Sequence, residues 1–307
     1  MADTWAWDGG AWHQAATSGP SPRYAASLAY DAARSVYVLY GGQTAKGSSN
    51  ETWTWDGTKW KALSPAHNPG PRRSAAMAYD TQRQVVLLYG GLVQNTAEGA
   101  PRADTWSWDG VDWKMLEAAS VQPGIRIGSR MVTAGGRVLL FGGSVSSNSD
   151  FFADASTWDG RTWSRIDHGP TPPGRGDAAV VWDEAHSSLF VFGGGGLNAQ
   201  AGGGAAGKPL ADAWSLRGAS WTSLAGAGPQ PTAQTNGMWD KKAGRAIVIF
   251  GMSGITCPNP TNEVWTWDGT SWTHLAKAAV PARWGAALAQ APDGAGIVFG
   301  GSDEPGC

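Results

Sequence analysis

The sequence predicts an all-β fold in which one four-stranded antiparallel unit is repeated six times. Three observations carry this reading: a glycine and proline content that helices do not tolerate, a tryptophan motif that recurs about every 50 residues, and an apolar run ending in a glycine pair between its copies. Glycine accounts for 44 of 307 residues and proline for 18, against usual shares of about 7% and 5%. Both are the poorest helix formers. Nineteen tryptophans and a 42% hydrophobic fraction supply ample core, since each buried aromatic withdraws about 150–250 Å² from water. Disorder is therefore excluded for most of the chain.

Within a repeat the strands are labelled a to d. Strand a runs as in Arg23 to Tyr30 and ends in a short polar turn, Asp31 to Arg34 in the first copy and Asp240 to Ala243 in the fifth. Strand b is the apolar run, Val-Tyr-Val-Leu-Tyr before Gly41-Gly42 and its counterparts before Gly90-Gly91, Gly142-Gly143, Gly193-Gly194 and Gly300-Gly301. The fifth copy ends in Gly251-Met252 and breaks the pair. Short β-branched and aromatic runs bounded by glycine read as strands. Strands c and d come from Trp-x-Trp-Asp-Gly-x-x-Trp, present as Trp5 to Trp12, Trp53 to Trp60, Trp106 to Trp113 and Trp265 to Trp272. Asp-Gly between alternating apolar residues is a strong hairpin signal. Weaker copies carry Ser156 for the first tryptophan or Leu216-Arg217 for Trp-Asp, but the closing residue is always tryptophan: Trp12, Trp60, Trp113, Trp163, Trp221 and Trp272.

Four strands in a period near 50, with a glycine pair followed by tryptophan strands, resemble the kelch-repeat β-propeller family, in the bacterial type with Trp-Asp-Gly repeats. The resemblance covers the whole chain as one domain, residues 1–307, and implies a six-bladed propeller. The period and the missing Gly-His set it apart from the WD repeats, whose unit is about 40–45 residues. The 35 residues after Trp272 hold strands a and b only, and the 12 residues ending at Trp12 hold c and d. The N-terminal strands are therefore expected to complete the last blade, which leaves no sheet edge open.

The a–b and c–d turns are short and uniform, whereas from the second glycine to the first tryptophan position the separations are 11, 15, 13, 20 and 13 residues, and 11 across the chain ends. Variable loops on a rigid scaffold are where binding resides, so function is expected on the b–c and d–a face, at the mouth of the central channel. Aligned on the glycine pairs, Arg23, Arg72, Arg126, Arg175 and Arg283 share one position at the start of strand a, with Thr232 in the fifth repeat. Two readings stand for them: guanidiniums ringing an opening bind carboxylate, or they bond loop carbonyls and acids of the scaffold. The next positions vary, as a binding surface does. Tyr24 and Trp284 offer flat apolar contact, and Arg73, Arg130, Asp177, Gln234 and Asn236 offer polar groups.

Other signals are set aside. The paired tryptophans, such as Trp53 and Trp55, point the same way along a strand and are expected to pack between sheets rather than to stack sugars. Gly202 to Pro209 approaches a phosphate-binding loop, but Pro209 replaces the metal-binding hydroxyl and no helix follows. The five histidines lack ligand spacing, so no metal or other cofactor is expected, in contrast to the copper oxidases of the kelch fold. Cys257 and Cys307 fall in loops of adjacent repeats and are either bridged or two separate thiols.

A balance of 23 basic and 25 acidic residues gives no long-range attraction for nucleic acid or a membrane surface. As written, the chain carries no export signal and reads as cytoplasmic; a removed signal peptide, or a bridge between the cysteines, would place it outside the reducing cytoplasm. The expected function is that of a monomeric protein holding a small anionic ligand or peptide at the channel mouth. The alternative is a cofactor-independent enzyme, such as a sugar-acid epimerase-like isomerase or a natural-product cyclase, using the same opening.

Overall fold

The computed structural model describes residues 1–93, 100–116, 123–146, 149–196, 208–253, 259–275 and 277–305. Among them there are strands and no helix, and six antiparallel four-stranded sheets recur along the chain as a propeller-like all-β fold requires. Sheet 1 comprises Ser27–Asp31, Val36–Tyr40, Thr52–Trp55 and Trp60–Leu63; sheet 2 comprises Ala76–Asp80, Val85–Tyr89, Thr105–Trp108 and Trp113–Leu116. Sheet 3 follows with Arg130–Ala134, Arg137–Phe141, Ala155–Trp158 and Trp163–Arg165, and sheet 4 with Ala179–Asp183, Ser188–Phe192, Ala213–Arg217 and Ser220–Leu224. Sheet 5 holds Asn236–Asp240, Arg245–Ile249, Val264–Trp267 and Trp272–His274. Sheet 6 joins Ala287–Gln290 and Gly296–Phe299 to Thr4–Trp7 and Trp12–Ala16 from the other end of the chain, with Thr4 opposite Phe299 and Trp7 opposite Gly296.

The c–d turn is a four-residue turn held by its aspartate, not a two-residue one. Trp55 pairs with Trp60, and the Asp56 carboxylate accepts the N–H groups of Thr58 and Lys59, both at 2.9 Å. Gly57 takes the left-handed conformation (φ +95°) that the turn needs. The same side-chain clasp recurs at Asp8, Asp109, Asp159 and Asp268.

Each sheet packs on the next through a buried cluster of its own, and sheet 6 packs on sheet 1 as well as on sheet 5. The closing tryptophans are the repeated element of this contact. Trp113 meets Tyr40 at 5.1 Å between ring centres, Trp163 meets Tyr89 at 5.5 Å, Trp221 meets Phe141 at 5.2 Å and Trp272 meets Phe192 at 5.1 Å. Trp12 on Phe250 (6.3 Å) and Trp60 on Phe299 (5.2 Å) repeat the contact across the chain ends. In every case the partner is the aromatic residue just before the glycine that ends strand b of the preceding sheet. In four of the six the indole N–H is bonded as well: Trp60, Trp113 and Trp163 donate to the hydroxyls of Thr4, Thr52 and Thr105 at 2.8 to 3.0 Å, and Trp221 donates to Asp167. Trp55, 2% exposed, lies between sheets 1 and 6, as the pattern predicted for the paired tryptophans.

Two features differ from the sequence reading. Strand a does not begin at its arginine: the third residue of each segment is left-handed, as at Ala25 (φ 52°), and the regular strand starts two residues later. Several b–c loops carry small ribbons of their own, such as Gln43–Thr44 with Gly47–Ser48 and Lys208–Pro209 with Gly195–Gly196. Cys257, Cys307 and Gly202 to Gly207 lie outside the described residues.

Candidate functional site

Of the two readings for the repeated arginines, the structure supplies the scaffold one. Arg23, Arg72, Arg126, Arg175 and Arg283 are each at most 3% exposed. Each Nη1 donates to the carbonyl of the first glycine in its own sheet's pair, for example Arg72 to Gly90 at 2.9 Å and Arg283 to Gly300 at 2.8 Å. Each guanidinium also meets an acid that stands two residues before the first tryptophan position. The fork is bidentate for Arg72 on Asp104 (2.9 and 3.0 Å), Arg175 on Asp212 (2.8 and 2.7 Å) and Arg283 on Asp3 (3.0 and 2.8 Å). Arg126 bonds Asp154 and Arg23 bonds Glu51. The same carboxylates accept the indole N–H of Trp5, Trp106 and Trp214 at 2.6 to 2.7 Å. The sequence reading missed these acids, although an Asp or Glu precedes each first tryptophan position by two residues and could have revealed them.

Burial is the largest single influence on Asp3, Asp104 and Asp212 and works to raise their carboxyls. The hydrogen bonds and charge of the arginines, with the indole bonds, outweigh it and hold all three below the ordinary aspartate range. In the fifth repeat Thr232 stands in place of arginine, and Glu263 pairs instead with His274 and with Lys277 (3.1 Å).

The remaining candidates meet at an opening of about 320 Å³ on the b–c side. Tyr24, Arg73, Arg130, Asp177, Gln234 and Trp284 all line it, together with Leu92, Ser144 and Phe151 from the b–c segments, which the sequence did not single out. The five buried arginines do not line it. Asn236 does not either: it is 7% exposed, bonds the Ala286 carbonyl at 3.3 Å and faces a separate cavity deeper in the channel. Tyr24 and Trp284 form a tilted pair with ring centres 4.9 Å apart, and the Trp284 N–H donates to the Glu304 carbonyl at 2.8 Å. Arg73 donates to Gln43 at 3.0 Å.

A chain of backbone amides shapes the rim. Ala25, Ser74, Gly128, Asp177, Gln234 and Gly285, one per repeat, are left-handed with φ between 52° and 65°. The N–H of Ala25 donates to Gly285, Ser74 to Ala25, Gly128 to Ser74 and Asp177 to Gly128, at 2.7 to 3.0 Å. Thr235, rather than Gln234, continues the chain to Asp177 at 3.2 Å. For residues with a Cβ this conformation costs about 1–2 kcal/mol, and it persists where surrounding structure over-determines it; the inter-sheet amide bonds do so here.

Asp177 carries the one carboxylate among the described residues that line the opening. Its oxygens rest against Gly128, where an added Cβ would come within 2.8 Å of Oδ2. Arg130 Nη2 stands 3.6 Å from Asp177 Oδ1. The side chain keeps 35% of its surface accessible, and the walls of the opening take the rest out of water. That desolvation raises its carboxyl above the ordinary range, and the Arg130 charge only partly offsets it. Among the described residues the opening thus offers two guanidiniums, one weakened carboxylate, the amide side chain of Gln234 and an aromatic pair. Such a set suits recognition of a small polar ligand with a flat apolar part.

Compared with models of known protein families and with curated proteins, the chain matches none of them.

Proposed function

We propose that the chain is a six-bladed kelch-type β-propeller, its last blade completed by the N-terminal strands, which binds a small anionic molecule or short peptide at the channel mouth. The ring reading is supported by the pairing of Thr4–Trp7 with Gly296–Phe299 and by the packing of sheet 6 on sheet 1. The observation that carries the function is the opening itself: Arg73, Asp177, Gln234, Tyr24 and Trp284 come from different repeats, differ from their repeat equivalents, and converge on one cavity of ligand size. Arg73 and Arg130 would take the anionic group as planar donors, and the Tyr24–Trp284 pair would cover the apolar part.

A thermal-shift screen with carboxylates, phosphates and sugar acids tests this. A ligand at about 100 times its Kd adds about 2.7 kcal/mol to stability. The gain should disappear in Arg73→Met and in Trp284→Ala. No stabilising anion, or a gain that survives both substitutions, rejects the mouth as the site.

The raised carboxyl of Asp177 favours a second reading, an isomerase that moves a proton in the same opening. It requires that a ligand found by the screen exchange a C–H proton with D2O in the presence of the protein. That exchange should be lost in Asp177→Asn; binding without exchange leaves the binding-protein reading.

A further inference from the structure

Below the mouth the channel widens into a second cavity of about 640 Å³ that reaches the a–b turns. Ala26, Ala75, Arg130 and Ala286 line both spaces. Arg130 is the only charged residue of the four. Its repeat equivalents are Ser27, Ala76, Ala179, Asn236 and Ala287, so no other repeat places a charge at this depth. The guanidinium lies across the throat: Nε donates to the Ala178 carbonyl at 3.2 Å and Nη2 to the Thr235 carbonyl at 3.4 Å, residues that lead into two different sheets. Nη1 makes no hydrogen bond among the described residues. Ser129 beside it lines the cavity, is 1% exposed, and its hydroxyl has no hydrogen-bond partner among the described residues. Asp177 lines the mouth and not this cavity.

The walls are apolar, with Leu28, Met77, Met131 and Val180 on the inner strands. At the outer end Tyr30, Tyr79, Trp182 and Trp239 occupy one repeat position and form an aromatic rim. The polar residues there are already engaged: Thr133 bonds the Tyr79 carbonyl at 2.7 Å, Gln290 bonds the backbone of Trp239, and Lys241 stands 3.6 Å from Glu184. The cavity is therefore amphipathic, with one partly free cation at its inner end, methionine-rich walls that adapt to varied shapes, and amphipathic rings at its entrance.

We propose that this chamber is a second binding site, open on the a–b face, that takes an apolar monocarboxylate. The carboxylate sits on Arg130 Nη1, and the apolar body lies between Met77, Met131 and Leu28. The proposal does not depend on the mouth being a site.

Octanoate is the probe, with octanamide as its neutral counterpart, titrated by calorimetry and by the fluorescence of Trp182 and Trp239. Octanoate should bind saturably, one per chain, with octanamide at least tenfold weaker. Arg130→Met should weaken octanoate at least tenfold, while Arg73→Met leaves it unchanged. Leu288→Trp, which narrows the chamber from a half-buried position, should block binding and gives an independent answer if Arg130→Met does not fold. Absence of saturable binding, equal affinity for octanamide, full affinity in the folded Arg130→Met and Leu288→Trp variants, or loss in Arg73→Met instead, overturns the chamber; the last outcome places the ligand in the mouth.

Discussion

Arg175 shows what a single residue does here: fully buried, it holds the Asp212 carboxylate and two loop carbonyls at once. Cutting one partner of a buried pair leaves the other charge unsatisfied, at a cost of about 3–5 kcal/mol. Arg175→Met is therefore expected to lower Tm by several degrees in a circular-dichroism melt, whereas Arg73→Met at the rim should leave it near wild type. Equal melting of the two variants would show that the buried pairs do not hold the loops. The same pairs set the acid limit of the fold. Asp3, Asp104 and Asp212 have lower pKa values folded than unfolded, so each adds stability that is present above the unfolded value near 4 and is lost as pH falls through the folded one. Tm should stay level from pH 7 to about 5 and drop between about pH 4 and 2. A melt insensitive to that range would contradict the assignment.

At the scale of the element, the Trp-Asp-Gly segment does three jobs with eight residues. Its aspartate clasps the c–d turn, its first tryptophan bonds the acid that holds the arginine, and its closing tryptophan docks on the preceding sheet. Trp113, 1% exposed against Tyr40 and the Thr52 hydroxyl, separates packing from hydrogen bonding. Trp113→Ala should cost about 3–5 kcal/mol. Trp113→Phe, which keeps a ring in place and leaves the Thr52 hydroxyl without its donor, should cost nearer 1–3 kcal/mol. Urea midpoints of the two variants test the difference, and equal losses would mean that the indole N–H bond, not the ring contact, carries the docking. The strands and turns of this element were legible because their signals are local: alternation, Asp-Gly and a glycine pair. The left-handed residue in front of strand a was not, since Ala25, Ser74 and Asp177 have side chains that ordinarily avoid it, and the amide chain between sheets holds them there.

For the molecule as a whole, removal of residues 1–12 is the decisive experiment. It deletes Thr4–Trp7, which pairs with Gly296–Phe299, and removes Asp3 from Arg283 and Thr4 from Trp60. Loss of cooperative unfolding or aggregation is expected, and a truncated chain that melts like the intact one would refute closure by the N-terminal strands. The sequence by itself determined the all-β class, the four strands of each repeat, the role of the closing tryptophans and the segment in which Tyr24, Asp177 and Trp284 occur. Those properties rest on periodicity and on residues whose partners lie within one repeat or at the same place in the next. Only the tertiary structure decided which arginines line the opening. Arg72 and Arg73 are neighbours in sequence and equal in chemistry, yet one is buried on Asp104 and the other lines the opening. Side-chain direction at a break in strand geometry depends on the adjacent sheet, and no periodicity records it. The same reason hid the throat position of Arg130, whose two carbonyl partners, Ala178 and Thr235, are the residues just before sheets 4 and 5.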